Sequence, residues 1–381
     1  MKRQCQVRLF LLTALLLTAG YWLCLQPVTI LPWPTHCNGP APTWLSALVT
    51  ETRKLGYPGF QLSFVDKAGR PVDCVAGWAG PNIGALPLKI DQPMRYASLS
   101  KIMTSVVSMQ LAEEGRLAPE TPLLDVLEVG GPIADARIKT ITLGHLLMHT
   151  AGFDRSKTPD PMFLAAPWCP RDLERLSFIK LDYPPGTRFA YANVGYCLLG
   201  AAIARIEGEP LDRVFERRLL TVLGLSSITP LGHRETLRTE PQNFFDPPDS
   251  LAELLAIDYP ALVAVGGWAG SARDFRILLS GIFSESENGL LSRSAIEQLL
   301  KVDPVCAKDK WRNCHGYGFY KYQETGQQTM YWRDGSLPGV SAFAAIFSDG
   351  NPMVFLSNGR RHDWMPANDL IGKFLYSTQR R

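Results

Sequence analysis

The chain has 381 residues, of which 46% are hydrophobic and 20% are charged, and its formal net charge is +3. This length and apolar content are enough for the core of one large domain or of two smaller lobes. The nearly balanced charge, with no run of Lys and Arg, argues against a nucleic-acid-binding surface. Six scattered histidines show no metal-ligand spacing, so we expect no metal.

The N-terminus has the pattern of an export signal. Three basic residues, Lys2, Arg3 and Arg8, precede an apolar stretch at 9–25, and basic residues before an apolar run are typical of such signals. Small residues at 18–20 offer a cleavage site, whereas the apolar run continues beyond them and favours an uncleaved anchor.

The chain divides into three parts on this interpretation. Residues 1–26 are a signal peptide or an N-terminal membrane anchor, residues 27–43 are a proline-rich linker, and residues 44–381 form the folded domain. No internal repeat or low-complexity segment stands out after the linker, so we expect one continuous fold there.

The cysteines also fit an exported protein, because disulfides form in oxidising compartments. Cys306 and Cys314 flank a short polar stretch and are expected to pair, and Cys37 with Cys74 is a second expected pair. Cys197 lies in an apolar helical run and is interpreted as a small buried hydrophobic residue.

Hydrophobic periodicity predicts helices and strands along the folded part. The predicted helices are 44–56, 98–114, 142–149, 196–206, 211–223, 272–283 and 368–376. The predicted strands are 60–65, 73–78, 317–322, 328–333, 341–348 and 352–358. Residues 233–260 give few periodic signals and are treated as a loop with room for a short helix.

Strands therefore lie at both ends of the chain and helices in its middle. This order predicts an α+β fold, with a sheet lobe over about 44–97 and 266–381 and a helical lobe over about 98–265. Ser98 lies where the first sheet segment meets the helical lobe, so we expect it in a cleft.

Ser98-Leu99-Ser100-Lys101 is an S-x-x-K sequence at the start of a predicted helix. Three-residue spacing places Ser98 and Lys101 on one helix face, where a desolvated lysine can take the serine proton. The motif is unspecific alone, because Ser177 and Lys180 form a second match just before a Pro-Pro pair, where a helix ends. An ordinary helix cap is the alternative interpretation of Ser98.

Tyr191-Ala192-Asn193 is the only Y-x-N sequence in the chain. A tyrosine coupled to a lysine can move protons, and a nearby amide can hold a carbonyl oxygen. A core tyrosine followed by an asparagine in a turn is the alternative.

Longer segments resemble a known family. Residues 185–200 closely resemble the second motif region of class C β-lactamases and of their esterase and D-aminopeptidase relatives. Residues 146–153 resemble that family's LLTHTSGL segment, 266–274 its GGLxSTAxD segment and 316–318 its YGLGW strand. The matches occur in the family's order over about 45–376, which makes them far more specific than S-x-x-K alone.

The resemblance implies a β-lactamase/transpeptidase-like fold, in which helices flank an antiparallel sheet and an all-helical lobe is inserted. It also implies roles for the candidate residues. Ser98 would be acylated, Lys101 and Tyr191 would transfer protons, and Asn193 would contact the substrate or Lys101. No cofactor is implied.

The family's third motif, K-T-G or H-x-G, aligns with Arg333-Asp334-Gly335, followed by Ser336. The backbone N–H groups of Ser336 and Ser98 would form the oxyanion hole, and backbone donors survive side-chain changes. Arg333 can bind a substrate carboxylate in a fork, but its pKa is too high for a base.

Asp334 would repel a carboxylate if it faced the site. Alternatively, Arg333 and Asp334 pair with each other or point to solvent. Among the histidines, the resemblance implies a structural role for His149, while His315 and His362 can border the site.

We therefore predict a serine hydrolase that acts on an ester or amide through an acyl-enzyme. The missing K-T-G argues against efficient β-lactamase activity and favours an esterase or a peptidase for D-residues. The expected partners are the inner membrane, through the N-terminal segment, and a small-molecule or peptide substrate of the cell envelope in the periplasm. Two other hypotheses are a catalytically inactive protein that binds such a ligand and a membrane-bound assembly factor, which has no positive support in the sequence.

Overall fold

The computed structural model describes residues 13, 31–82, 84–161, 164, 166–232, 239–245, 257–284, 289–302, 310–312 and 314–379. The expected export segment, apart from Thr13, lies outside these residues, as does Cys306 of one expected disulfide. Within the part of the chain that the structure describes, no helix has the length and apolar character needed to cross a membrane.

One antiparallel sheet joins the two ends of the chain. Its eight strands are β1 (Thr35–Cys37), β2 (Gly59–Val65), β3 (Pro71–Gly77), β8 (Cys314–His315), β9 (Tyr320–Tyr322), β10 (Met330–Leu337), β11 (Val340–Phe347) and β12 (Pro352–Ser357). Their spatial order is β1-β3-β2-β12-β11-β10-β9-β8, so β2 pairs directly with β12. The predicted α+β class with an antiparallel sheet is confirmed.

The remaining strands are short and lie outside that sheet. They are β4 (Met94–Arg95), β5 (Thr229–Pro230), β6 (Phe244–Phe245), β7 (Trp268–Gly270) and β13 (Gly359–Arg360). Strand β7 pairs with β4 on one side and with β5 on the other, and β13 pairs with β6. Strands of two or three residues carry little periodicity, so the sequence did not predict them.

The α-helices of the described residues agree with most predictions. They are α1 (Leu45–Lys54), α2 (Ser100–Glu113), α3 (Leu123–Leu127), α4 (Leu143–Leu147), α5 (Asn193–Glu207), α6 (Leu211–Phe215), α7 (Thr221–Leu223), α8 (Ala272–Ile282), α9 (Arg293–Leu299) and α10 (Trp364–Thr378). A π-helical turn, Glu216–Leu220, connects α6 to α7. Helices α3 and α9 were not predicted.

Both faces of the large sheet are covered, which explains why β11 and β12 are buried along their whole length. Helices α1 and α10 pack on one face through side chains such as Leu48 and Leu375. Helix α8 packs on the other face, where Phe275 and Leu278 join the main core. A capping box between Ser271 and Asp274 starts α8.

Helix α2 is buried on nearly every side, from Ser100 to Met109. A helix surrounded by protein needs no polar face, which is why its apolar residues do not form a single stripe. Helix α5 packs against it and ends at Gly208, whose φ of +72° is the left-handed conformation common at helix ends. These two helices carry the candidate site at their N-terminal ends.

Two disulfides are present among the described residues. Cys37 pairs with Cys74, as predicted, and ties β1 to β3. Cys197 pairs with Cys169, so its interpretation as an unpaired hydrophobic residue was wrong, although it is buried. Cys169 lies in an irregular segment 28 residues away, and no local pattern links the two.

Candidate active site

Ser98 lies in a 3-10 turn, Ala97–Leu99, that leads directly into α2. Ala97 has a φ of +49°, which is uncommon for a residue other than glycine and is typical of functional sites. The turn packs against β10 at Gly335, where an added Cβ would lie 3.0 Å from the backbone nitrogen of Ser98. Close packing therefore holds the candidate nucleophile at the end of a buried helix.

Lys101 lies one turn further along α2 and is fully buried. Its Nζ donates to the Oγ of Ser98 at 3.2 Å and to the backbone carbonyl of Val265 at 2.8 Å. Burial disfavours the charged form and lowers the pKa of Lys101 to about 8, although the nearby Tyr191 opposes this shift. A lysine with this pKa can exchange protons near neutral pH.

Tyr191 immediately precedes α5, and its hydroxyl lies 2.9 Å from the Oγ of Ser98. Burial alone would raise its pKa, but the positive charges of Lys101, Arg333 and Arg155 outweigh burial and lower the pKa to about 8. Three cations lie within 6 Å of its ring, at 5.3, 5.8 and 5.4 Å respectively. The structure thus brings Ser98, Lys101 and Tyr191 together.

Asn193 is the first residue of α5 and lines the cavity above Ser98. Its amide donates to both carboxylate oxygens of Asp160, at 3.0 and 2.8 Å, and it makes no contact with Lys101 among the hydrogen bonds described. Its Oδ1 is buried and has no hydrogen-bond partner among the described residues. Asp160 orients this amide and was missed by the sequence analysis, because it lies in an irregular loop without a motif.

Arg333 is placed differently from either expectation. It is 1% exposed and does not line the cavity, so it cannot fork a substrate carboxylate there, and it does not point to solvent. Its Nε donates to the backbone carbonyl of Ser98 at 2.8 Å, and Nη1 donates to that of Gly318 at 2.9 Å. Arg333 is a fixed cation behind the nucleophile.

Asp334 faces the cavity and pairs with Arg312 rather than with Arg333. Arg312 donates to its two carboxylate oxygens at 3.1 and 2.7 Å, and Asn368 donates at 3.1 Å. Burial would raise the pKa of Asp334, but the charge of Arg312 outweighs it and lowers the pKa. Arg312 follows a segment outside the described residues and no sequence motif marks it.

The third-motif strand also supplies a backbone donor. Leu337 pairs with Val340 across a two-residue turn, and N–H groups alternate in direction along a strand. The N–H of Leu337 therefore points to β11, and that of Ser336 points to the opposite edge, where the Ser98 turn packs. Gly335 allows this approach because it has no side chain. Gly335 itself does not line the cavity.

Two buried histidines, His149 and His315, lie next to the site residues. His149 accepts the N–H of Ala192 at 3.3 Å and packs 4.4 Å from the ring of Tyr191, which fits the structural role that the resemblance implied. His315 lies 3.2 Å from Arg333. Burial holds the pKa of both histidines well below the usual range, so both are neutral. His362 is exposed and does not border the cavity.

The cavity above Ser98 has a volume of about 310 Å³. Tyr191, Asn193 and Ser336 of the predicted site line it together with Ser98. Six further residues give it apolar or aromatic walls: Phe189, Tyr320, Leu337, Pro338, Trp364 and Met365. Among the described residues, no cluster of His, Cys, Asp and Glu could hold a metal ion. The arrangement supplies a nucleophile, proton carriers and backbone donors, which acyl transfer requires.

Comparison with known proteins agrees with this geometry. A family model described as Beta-lactamase matches residues 45–375. The "Probable fimbrial assembly protein FimD, serogroup H1" of Dichelobacter nodosus is 34% identical over 334 residues, which cover 83% of this chain and 79% of that protein. The "D-alanyl-D-alanine-carboxypeptidase/endopeptidase AmpH" of Escherichia coli is 31% identical over 147 residues, or 37% of each chain.

Among solved structures, the D-amino acid amidase from Ochrobactrum anthropi SV3 in complex with D-phenylalanine has the same fold. It superimposes with a TM-score of 0.72 at 18% sequence identity, over 88% of this chain and 98% of that chain.

Proposed function

This chain belongs to the beta-lactamase family and is a serine hydrolase, and we propose that it cleaves an ester or amide through an acyl-enzyme formed on Ser98. The observation that carries this proposal is the Oγ of Ser98, which lies 2.9 Å from the hydroxyl of Tyr191 and 3.2 Å from the Nζ of Lys101. Both partners have a pKa of about 8, so the pair can take the serine proton near neutral pH.

In the acylation step, the Oγ of Ser98 attacks the substrate carbonyl as its proton passes to the Lys101–Tyr191 pair. The N–H groups of Ser98 and Ser336 stabilise the negative oxygen of the tetrahedral intermediate. The pair then returns the proton to the departing alcohol or amine. Water repeats the sequence, releases the acid and regenerates the free serine.

The apolar walls of the cavity favour a substrate with a hydrophobic group beside the scissile bond. Among possible acyl-transfer substrates, an ester or an amide of a D-residue fits better than a penicillin. A penicillin carries a carboxylate, and Arg333, which could have bound it, is withdrawn from the cavity, whereas Asp334 faces the cavity. The names of AmpH and of the D-amino acid amidase support amide chemistry in the wider family.

The proposed location is the periplasm, with the N-terminal segment as a cleaved signal or as an anchor in the inner membrane. The basic residues before the apolar stretch at 9–25 support export. Two disulfides, Cys37–Cys74 and Cys169–Cys197, also support an oxidising compartment.

A second candidate function is a role in fimbrial assembly. The FimD relative covers most of this chain at 34% identity, and it gives this reading the support that the sequence alone lacked. The two functions are compatible if assembly requires hydrolysis of an envelope component. Replacing Ser98 with alanine in the cell separates them, because a purely structural assembly factor keeps its role without the hydroxyl.

The direct test is covalent labelling of the full chain with a fluorophosphonate, and separately with a penicillin, read by intact mass. We expect one adduct with the fluorophosphonate on the wild type and none on Ser98→Ala. Ser177→Ala is the matched control, since it removes the serine of the second S-x-x-K sequence and should label normally. A folded wild type that takes no label would overturn the hydrolase mechanism and favour the inactive, ligand-binding alternative.

A further inference from the structure

The charged side chains that line the cavity above Ser98 are mostly positive. Three arginines, Arg155, Arg312 and Arg360, line it, and Asp334 is the one carboxylate among the described lining residues. Three positive charges against one negative charge leave the lining with a formal charge of +2. A cavity of this charge attracts anions, and arginine binds oxyanions through charge-assisted hydrogen bonds.

The arginines differ in whether a carboxylate shares their wall of the cavity. On the wall formed by β10, Arg312 donates to both oxygens of Asp334, so an anion that approached Arg312 would also meet Asp334. Arg155 lies on the wall at the start of α5, with its guanidinium 5.4 Å from the ring of Tyr191. Among the described residues, no carboxylate lines the cavity on that wall. Arg155 is therefore better placed than Arg312 to receive an anion.

The counter-charge of Arg155 lies behind it. Asp160 is 3.5 Å from the Nε of Arg155, but its side chain is 3% exposed and does not line the cavity. The side chain of Arg155 is 33% exposed and does line the cavity. Both oxygens of Asp160 also accept from the amide of Asn193. Asp160 therefore orients the guanidinium from inside the protein, and the side of the pair that faces the cavity is positive.

Arg155 is also close to the reacting atoms. Its backbone N–H donates to the carbonyl of Tyr191 at 3.2 Å, and the hydroxyl of Tyr191 lies 2.9 Å from the Oγ of Ser98. The charge of Arg155 contributes to the lowered pKa of Tyr191, so its field extends to this hydroxyl. An anionic group attached a few bonds from the scissile carbonyl can therefore reach Arg155.

Building on the proposed function, we propose that Arg155 forms an anion subsite on the α5 wall of the cavity. Its guanidinium binds a carboxylate or a phosphate-type group of the substrate, while Asp160 holds it from behind. The substrate class is therefore an ester or amide that carries an oxyanion a few bonds from the bond that is cleaved. An ammonium group at this position would be repelled. The subsite is separate from the β10 wall, where a carboxylate would meet Asp334.

The test measures binding rather than turnover, so that it does not depend on catalysis. Four 4-nitroanilides of similar length end in a carboxylate (glutaric acid), a phosphonate (4-phosphonobutanoic acid), a neutral amide (glutaramic acid) or an ammonium group (5-aminopentanoic acid). A second series carries the same four groups on the aniline ring, so that either end of a ligand can reach Arg155. Dissociation constants are measured by calorimetry in the Ser98→Ala protein, which cannot be acylated at this residue.

In the Ser98→Ala protein, we expect an anionic ligand to bind more tightly than the amide and the ammonium ligand more weakly, in at least one series. Comparison of the carboxylate with the phosphonate shows which oxyanion the subsite prefers. Adding Arg155→Gln should lower the anion-to-amide affinity ratio about tenfold, because a charge-assisted hydrogen bond is lost. Adding Arg155→Lys, which keeps the charge, should lower that ratio less.

Arg188→Gln is the matched control, because it removes one positive charge without changing the cavity wall. Arg188 is exposed, does not line the cavity and lies 4.4 Å from the ring of Tyr183. Exposed charges are screened by salt, so this variant should leave the anion-to-amide affinity ratio unchanged.

Three results would overturn the subsite. The first is a set of anionic ligands that bind no more tightly than the amide in either series. The second is an Arg155→Gln variant that keeps the full preference for anions, which would place the anion on another wall. The third is an Arg155→Gln variant that weakens all ligands equally, as loss of a purely structural residue would. Ser98 labelling in the wild type reports separately on the proposed hydrolase, so either idea can fail without the other.

Discussion

The hydroxyl of Tyr191 lies 2.9 Å from the Oγ of Ser98, although 93 residues separate them in the chain. The contact exists because helices α2 and α5 pack together with their N-terminal ends at one cavity. The neighbouring cations keep the pKa of Tyr191 near 8 in a site where burial alone would raise it. The short contact and the lowered pKa together define a proton path from Ser98 to Tyr191 and Lys101.

Tyr191→Phe should lower kcat toward a neutral ester by about 10²- to 10⁴-fold, the usual contribution of a positioned proton carrier. The ring remains, so its packing against His149 and the fold should be retained. Steady-state kinetics and a thermal melt on the same preparation check this. Tyr331→Phe is the matched control, because it removes a phenolic hydroxyl from a residue of β10 that does not line the cavity, and a comparable loss of kcat there would contradict the assignment.

Activity should rise with pH through about 8, as the Lys101–Tyr191 pair loses a proton. The charge of Arg333 lowers the pKa of both groups. Arg333→Gln removes that charge, so both pKa values should rise and the acidic limb of the kcat/KM profile should move to higher pH. The loss of rate should be large at pH 7 and small at pH 10.

Arg333→Lys keeps the positive charge and should leave the acidic limb nearly in place. The comparison separates the charge of Arg333 from its hydrogen bonds to the carbonyls of Ser98 and Gly318, which lysine cannot reproduce in full. Identical profiles for the Gln and Lys variants would show that the charge does not tune the pair.

Cys169→Ser should destabilise the protein by about 3 kcal/mol, since the disulfide to Cys197 closes a loop of 28 residues. Cys197 lies in α5, four residues after Asn193, so activity should fall with stability as α5 loosens. Urea unfolding with and without a reductant measures the effect. The reductant should destabilise the wild type by more than the Cys169→Ser substitution does, because it also opens Cys37–Cys74.

Glu207 should contribute to the free energy of unfolding at neutral pH and lose that contribution in acid. Hydrogen bonds from Arg218 and Arg217 outweigh the effect of burial and lower its pKa from the usual 4.5 to about 2. A group with a lowered folded-state pKa contributes fully above its usual pKa and loses that contribution as the pH falls toward about 2. Glu207→Gln should therefore cost about 2 kcal/mol at pH 7 and almost nothing at pH 2.

Denaturant melts at both pH values check the Glu207 prediction. Glu297→Gln is the control, because Glu297 also lies in a helix and pairs with an arginine, Arg293, but its side chain is 71% exposed. Exposed pairs contribute little, so this variant should match the wild type throughout. Equal losses for both variants at pH 7 would contradict the special role of Glu207.

The nucleophile and its two proton partners could be predicted because they depend on short spacings. Ser98 and Lys101 are one helical turn apart, and Tyr191 and Asn193 flank the start of α5. Their mutual contacts did not follow from the spacing alone. They depended on the resemblance to a family in which the same segments lie together.

The environment of the third motif could not be predicted, because it depends on contacts from distant segments. Arg333 turns behind Ser98, and Asp334 is held by Arg312, which precedes it by 22 residues in an irregular segment. Asp160 and the Cys169–Cys197 pair come from loops without periodicity. Short strands such as β4 and β7 form only through pairing with segments distant in sequence.

The pairing of β2 with β12 also constrains when the protein becomes active. Ser357 pairs with Phe60, almost 300 residues earlier, and Ser336 lies on β10 within the same late part of the chain. Contacts this distant in sequence form slowly, and domains complete only when their last strands are available. A growing chain therefore carries Ser98 before the segment with its second proposed oxyanion donor, Ser336, has been made. The complete acyl-transfer site can therefore form only after nearly the whole sheet-forming sequence has been synthesised.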